Sequence, residues 1–386
     1  MGVQSLKPGW KSVKFGDVVK NSNLVERDPA SNGIERIVGL EHLDSENLHI
    51  RRWNSSEGDT SFTRKFVPGQ TLFGKRRAYQ RKVAFAEFEG ICSGDILTFE
   101  PKNTKVLLPE LLPFICQSDA FFDYALDTSA GSLSPRTSWT ALKDFEFPLP
   151  PLAEQKRIAE ILWTSDEAKE SHYKLLLAQV AFRKAYLRES LSGQIRSHGP
   201  DLPQGWEISK IGKACQILNN LRKPISQTVR AKMRGQYPYY GPTGKLDNLN
   251  EYRIEGEYVL IGEDGDHFTK FDDWAMTQLV SGRFNVNNHA HILCGTDVCL
   301  TRYIFYYFKH RDISPFLSKQ GATRLKLNKG TLQTIPILLP PIEEQKKMCQ
   351  RYAAIDAAIE ACRQHLESSK MQIGVLAGAL IGGVNV

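Results

Sequence analysis

Cysteine is scarce in this chain, with seven in 386 residues and no Cys-x-x-Cys pair. Cys92, Cys116, Cys215, Cys294, Cys299, Cys349 and Cys362 are scattered. That excludes a disulfide scaffold and reads as small buried hydrophobes in a reducing compartment. The tightest His/Cys group (His289, His291, Cys294, Cys299) lacks zinc-site spacing and alternates as a strand does. Long apolar runs are missing too. None approaches the roughly 18 residues of a membrane helix. The apolar C-terminal stretch Gly374–Val386 is only 13 residues long and glycine-rich, and is expected to dock on a partner. Lysines run through Met1–Lys20 without an apolar segment, so no secretory signal and a cytoplasmic location are expected.

Catalytic signatures are equally thin. No Gly-x-Gly-x-x-Gly follows a strand, so no dinucleotide or S-adenosylmethionine cradle is visible. No Asn/Asp-Pro-Pro-Tyr/Phe segment is present to methylate an amino group. Gly69–Arg76 has the glycine–lysine spacing of a phosphate loop, but no Ser or Thr follows Lys75 to hold magnesium, and a strand entering a basic hairpin fits better. Gly241-Pro-Thr-Gly244-Lys245 reads as a tight turn. Glu263, Asp264 and Asp266 would suit a metal-dependent nuclease, yet the favoured reading is a polar turn between strands. No nucleophile elbow surrounds a serine. The chain is expected to be non-catalytic, without a metal.

What is present is positive charge in unusual places. The net charge is +7, and hydrophobic and charged residues at 41% and 24% are those of an ordinary globular chain. From Thr60 to Ala86 there are seven basic residues and no acid, and from Ile208 to Leu246 eight and again none. A solvated surface mixes signs, so these windows suggest surfaces that face a polyanion.

A duplication organises the chain. Leu149-Pro-Pro-Leu-Ala-Glu-Gln-Lys-Arg-Ile158 recurs as Leu339-Pro-Pro-Ile-Glu-Glu-Gln-Lys-Lys-Met348, and upstream Gly131, Arg136 and Leu142 answer Gly321, Lys326 and Leu332 at the same offset of 190. Pro8-Gly-Trp10 is echoed by Gln204-Gly-Trp206. Each copy has a mixed α+β front part with short strands, such as Val83–Phe88, Asp95–Phe99, Tyr258–Ile261 and Ala290–Cys294, and helices near Pro109–Tyr124 and Val298–Lys309. A long helix follows each. The first has no proline or glycine between Pro151 and Gly193, and the second is expected from Pro341 to about Gly374. The second carries a heptad seam through Met348, Tyr352, Ile355, Ile359, Cys362, Leu366, Ser369, Ile373, Leu376 and Leu380. A looser stripe in the first includes His172, Leu176 and Tyr186. Two such helices in one chain are expected to pair antiparallel.

Duplicated basic α+β domains, each followed by Leu-Pro-Pro-x-x-Glu-Gln and a long helix, resemble the specificity subunit of type I restriction–modification enzymes. Tyr237-Pro-Tyr-Tyr-Gly-Pro-Thr-Gly244 and Val259-Leu-Ile-Gly-Glu-Asp-Gly265 add to the likeness. The resemblance implies target-recognition domains at 1–150 and 197–340 and helical spacers at 151–196 and 341–386, pseudo-two-fold, with the paired spacers acting as a ruler. Each front domain would read half of a split double-stranded DNA site. Two modification subunits, carrying S-adenosylmethionine, and restriction subunits, with ATP and Mg, would assemble on the chain, which would bind no cofactor itself and contact no membrane. The specificity chain of a type IIB-like or stand-alone adenine methyltransferase remains an alternative, and a nuclease or a pure protein scaffold are rivals of another class.

The residues expected to include DNA contacts are Lys75, Arg76, Arg77, Arg81, Lys82 and Arg136 in the first half. In the second they are Arg222, Lys223, Arg230, Lys232, Arg234, Lys245 and Lys326. Tyr79, Tyr239 and Tyr240 are open to base contact or to core packing. Glu154, Gln155, Lys156, Glu344, Gln345 and Lys346, taken as exposed helix flanks, are the candidates for anchoring a partner or the opposite domain, with simple capping of a helix start as the other possibility.

Overall fold

A computed structural model describes residues 6–56, 60–131, 134–190, 202–272, 274–320 and 324–382. Two compact units divide inside the long helices: residues 1–173 with 364–386, and residues 174–363. Each unit therefore owns part of both helices, which differs from a division at the helix starts.

In the first unit, a four-stranded antiparallel sheet runs in the order Val19–Asn21, Ile96–Pro101, Thr71–Gly74, Val83–Phe85. A second sheet has the order Asn54–Ser55, Arg36–Val38, Gly90–Cys92, Arg64–Phe66. These strands are rich in Val, Ile, Phe and Thr, which suit a pleated, buried surface. Phe15, Phe73, Phe99 and Phe121 pack together, edge-on, tilted or stacked, with ring centroids 5.0–5.8 Å apart. The domain closes on itself where Lys11–Lys14 pairs antiparallel with Glu146–Leu149, immediately before the first long helix. Helices Leu112–Gln117 and Asp119–Asp127 replace the single helix expected over Pro109–Tyr124. Ser118 ends the first and caps the second, accepting from the Phe121 amide.

The second unit repeats that plan. Its larger sheet has the order Gln216–Ile217, Ala290–Cys294, Ile254–Gly262, Thr277–Val286, Arg234–Tyr240, Lys245–Leu249, and Glu207–Lys210 pairs with Pro336–Leu339 to close the domain. Buried tyrosines supply much of this core. Tyr303 donates to the Leu338 carbonyl at 2.7 Å, and Tyr306 lies 5.1 Å from Tyr352 of the second long helix.

The first long helix is Leu152–Arg188 and the second Ile342–Ile381. Within the second unit they run antiparallel, with Arg183 paired to Asp356 and Tyr186 to Tyr352. In the first unit the rings of His172 and His365 stack at 6.0 Å. Met348, Tyr352, Ile359, Cys362 and Leu366 are buried along the expected seam. Further on, the expected Leu376 and Leu380 are only partly buried and Ala377 and Ile381 are buried instead, so the stripe has moved one position, as a straight 3.6-residue helix drifts about 20° per heptad. The side chains of Ala377 and Ile381 join the first unit's core, which explains why the helix passes the expected stop at Gly374. Their packing outweighs the roughly 1 kcal/mol that each interior glycine costs.

Candidate nucleic-acid interface

Each long helix begins after Pro-Pro and is pinned to its own domain by the motif glutamine. Gln155 accepts from the Leu108 amide and donates to the carbonyls of Val106 and Pro150, at 2.8–2.9 Å. Gln345 does the same with Leu300, Val298 and Pro340. Both side chains are buried. This corrects the expectation that Gln155 and Gln345 are exposed flanks for a partner: a buried amide that satisfies three backbone groups is a structural anchor. Gly9 and Gly205, both in left-handed backbone (φ +82° and +80°), pack against the rings of Pro151 and Pro341, which accounts for the two Gly-Trp echoes. Lys156 and Lys346 remain exposed. Glu154 pairs with Arg157, whose hydrogen bonds hold its carboxyl below the ordinary value, and Glu344 lies 3.7 Å from Lys347.

In the first domain the strand Thr71–Gly74 ends by delivering Lys75, Arg76 and Arg77 to a short two-stranded crossing. The Lys75 amide donates to the Asp95 carbonyl, the Thr137 amide donates to the Lys75 carbonyl, and Arg76 faces Arg136 across an isolated antiparallel bridge. Arg76 and Arg136 both reach the Asp95 carboxylate, at 3.6 and 3.4 Å. Arg76 also donates to Ser134 Oγ at 2.8 Å. Burial, followed by the charge of Arg64, pushes the Lys75 pKa down. Cations outnumber the one acid that holds them.

The second domain has the same backbone frame. The strand Ile254–Gly262 delivers Glu263, Asp264 and Gly265. The Glu263 amide donates to the His289 carbonyl, the Leu327 amide donates to the Glu263 carbonyl, and Asp264 faces Lys326 across the matching bridge. Here Arg222 pairs with Glu263 at 2.9 Å and His289 with Asp264 at 3.2 Å. Asp266 pairs with Lys270. A basic partner beside each acid fits a polar turn. His291, the central residue of the His/Cys stretch, hydrogen-bonds the Leu327 carbonyl and Asn219, and burial lowers its pKa.

The remaining candidates divide. Arg77 and Tyr79 are exposed, Tyr79 at 55%, on a short turn whose flanks Arg77 and Arg81 are left-handed. Arg81 is committed elsewhere: it donates to the Gln117 carbonyl, pairs with Asp119 and Glu46, and lies over the Phe122 ring. These contacts make it an internal tie of the domain, with its side chain 27% exposed. Lys82 donates to the Leu40 carbonyl, and burial lowers its pKa. For Tyr239, core packing is the alternative that the burial favours. The residue is buried, with its hydroxyl donating to the Lys223 carbonyl and accepting from the Ile225 amide, while Arg230 covers its ring and pairs with Asp247. Tyr240 is half-buried against Phe284, and Lys223 pairs with Glu251. Lys232, Arg234 and Lys245 are exposed around the hairpin Arg234–Leu249. The structure thus gathers Lys75, Arg76, Arg77 and Arg136 at one place in the first domain, and Arg222 and Lys326 around Glu263 in the second. Asp95 is not visible as a site residue in the sequence, and His289 is visible only within a His/Cys group that lacks zinc spacing, because a repeat traced by like residues passes over matched positions that differ in charge.

The sequence matches the family described as type I restriction modification DNA specificity domain twice, over residues 8–178 and 203–368. The chain belongs to that family. Type I restriction modification DNA specificity domains thus make up both halves of the duplicated chain. A relative from Haemophilus influenzae, named as a type I restriction enzyme specificity subunit, is 34% identical over 151 residues, 39% of this chain and 37% of the relative. This chain therefore spans little more than a third of that relative's length in the match. The specificity subunit named MjaX of Methanocaldococcus jannaschii is 26% identical over 354 residues, covering 84% of this chain and 78% of that one. The type I restriction–modification S subunit of M. genitalium shares the fold, with a TM-score of 0.62 at 13% identity over 97% of each chain. Among the described residues no helix is long and apolar enough to cross a membrane.

Proposed function

We propose that each α+β domain reads one half of a bipartite double-stranded DNA site and that the paired helices set the number of base pairs between the halves. The observation that carries this reading is the duplicated frame: the same strand end, crossing and glutamine anchor occur in both domains, with different side chains facing solvent. Arg77, Lys232, Arg234 and Lys245 are suited to phosphates, which position a protein without carrying sequence, whereas the crossings present groups able to meet base edges. The chain would assemble with two modification subunits, which bring S-adenosylmethionine, and with restriction subunits, which use ATP and magnesium. The exposed Lys156 and Lys346 with the neighbouring Glu154 and Glu344 are the proposed partner contacts near each helix start.

Exchange of residues 207–339 for the corresponding domain of a relative with another target tests the reading. Sequencing of methylated sites from the assembled complex should show one half-site replaced and the other retained. Alteration of both halves, or a single uninterrupted target, would overturn it.

A further inference from the structure

The two domains carry one frame with reversed charge. Equivalence is set by backbone hydrogen bonds: Lys75 N–H to Asp95 O and Thr137 N–H to Lys75 O in the first domain, Glu263 N–H to His289 O and Leu327 N–H to Glu263 O in the second. The bridges Arg76–Arg136 and Asp264–Lys326 complete the match. Lys75 thus corresponds to Glu263, Arg76 to Asp264, and Asp95 to His289. At all three places a basic or potentially basic side chain stands opposite an acid. Only the pair Arg136 and Lys326 keeps its sign.

Reversal of both partners together preserves the internal attraction, since Arg76 meets Asp95 and Asp264 meets His289. A purely structural ion pair needs no such exchange. What the reversal changes is the chemistry offered outward. In the first domain, Arg76 and Arg136 are 40% and 54% exposed and share a single carboxylate, leaving guanidinium donors directed at whatever approaches. Ser134 and the crossing hold the Arg76 fork in place. A fixed guanidinium fork matches two adjacent acceptors, and in the major groove guanine alone presents O6 and N7 together. At the same place in the second domain Glu263 and Asp264 are only 20% and 16% exposed and pair with Arg222 and His289, so Asp264 supplies no donor where Arg76 supplies a fork.

Resting on the half-site reading above, we infer that Arg76, supported by Arg136, is a specificity-determining residue that reads guanine in the first domain's half-site, and that the charge-reversed copy at Asp264 and His289 closes the second domain to guanine at the corresponding base. Phosphate offers acceptors as well, and the two sources separate experimentally. Phosphate contact is indifferent to sequence, whereas guanine contact is not.

The test is sequencing of methylated sites by the assembled complex carrying R76Q, R76K or D264N, with melting curves of each variant. R76K keeps the charge but loses the fork. Discrimination for guanine at one position of one half-site should fall by roughly 5- to 150-fold in both Arg76 variants, with the other half-site intact. D264N should leave that guanine preference unchanged. Uniformly weaker methylation of an unchanged sequence would assign Arg76 to phosphate and overturn the inference, as would unchanged specificity. Should R76Q melt early, R76K decides. A wild-type complex with no bipartite target would instead defeat the underlying half-site reading.

Discussion

Gln155 and Gln345 close the same three hydrogen bonds, each onto its own domain: an amide two residues beyond the carbonyl it also holds, and the carbonyl of the first proline before the helix. The motif that marks the repeat is therefore a joint. It fixes the direction in which each helix leaves its sheet, because one side chain ties the helix's first turn to a loop and to the closing strand.

Truncation of either glutamine strands a buried amide and two carbonyls, so Q155A and Q345A should each destabilise the chain by about 2–4 kcal/mol. K156A and K346A, at the neighbouring exposed positions, should shift stability by less than about 0.5 kcal/mol. Urea unfolding of the four variants checks the contrast.

Asp356 holds two cations at once, Lys309 at 2.5 Å and Arg183 at 3.4 Å, all three less than a quarter exposed. D356A should cost about 2–4 kcal/mol by leaving two cations partly buried and unmatched. Removal of the exposed Glu343 opposite Lys346 should cost less than about 1 kcal/mol. Thermal melting distinguishes them.

His49 lies between Glu87 and Asp166, at 2.8 Å from each, with Lys169 also on Asp166 and the Trp163 ring alongside. The hydrogen bond to Asp166 raises its pKa against the opposing effect of burial. A raised folded pKa means that protonated His49 stabilises fully below the unfolded value near 6.5 and that this contribution disappears as pH rises through the folded value. The melting-temperature advantage of wild type over H49Q should be largest near pH 6 and shrink toward pH 8.5. His310 has the opposite sign. Burial holds it down to about 4, so it is neutral in both states above pH 6.5 and costs stability as pH falls from there toward 4.

Charge reversal at Lys75 and Arg77 should weaken DNA binding and flatten its dependence on salt by about one unit of slope for each phosphate that is no longer neutralised. R81A should leave both binding and slope unchanged. It should lower the melting temperature instead, because Arg81 ties Gln117, Asp119 and Glu46 together. Binding titrations at several salt concentrations, paired with melting curves, separate the two outcomes.

The duplication, the paired helices and the strand Ala290–Cys294 were legible because they depend on periodicity and on motifs that repeat in kind. Side-chain commitment was not. Arg81 and Arg77 lie in one basic window and look alike in sequence, yet a carbonyl, two acids and an aromatic ring claim only Arg81. Tyr239 and Tyr240 are neighbours on a strand, where alternation places the first in the core. Asp95 is hidden because its counterpart is a histidine, and identity between the copies reveals nothing at positions that reverse charge.

The central claim, that the domains read and the helices measure, is tested most directly by lengthening both helices together. The junction 192–200 lies outside the described residues, whereas residues 177 and 361 lie within the two described long helices. A heptad added after residue 177, matched by one after residue 361, lengthens the pair by about 10 Å with a rotation of only about 20°, or roughly three base pairs of DNA rise. Sequencing of the sites methylated by that complex should return both half-sites unchanged with about three more base pairs between them. An unaltered gap with an altered half-site would contradict the account.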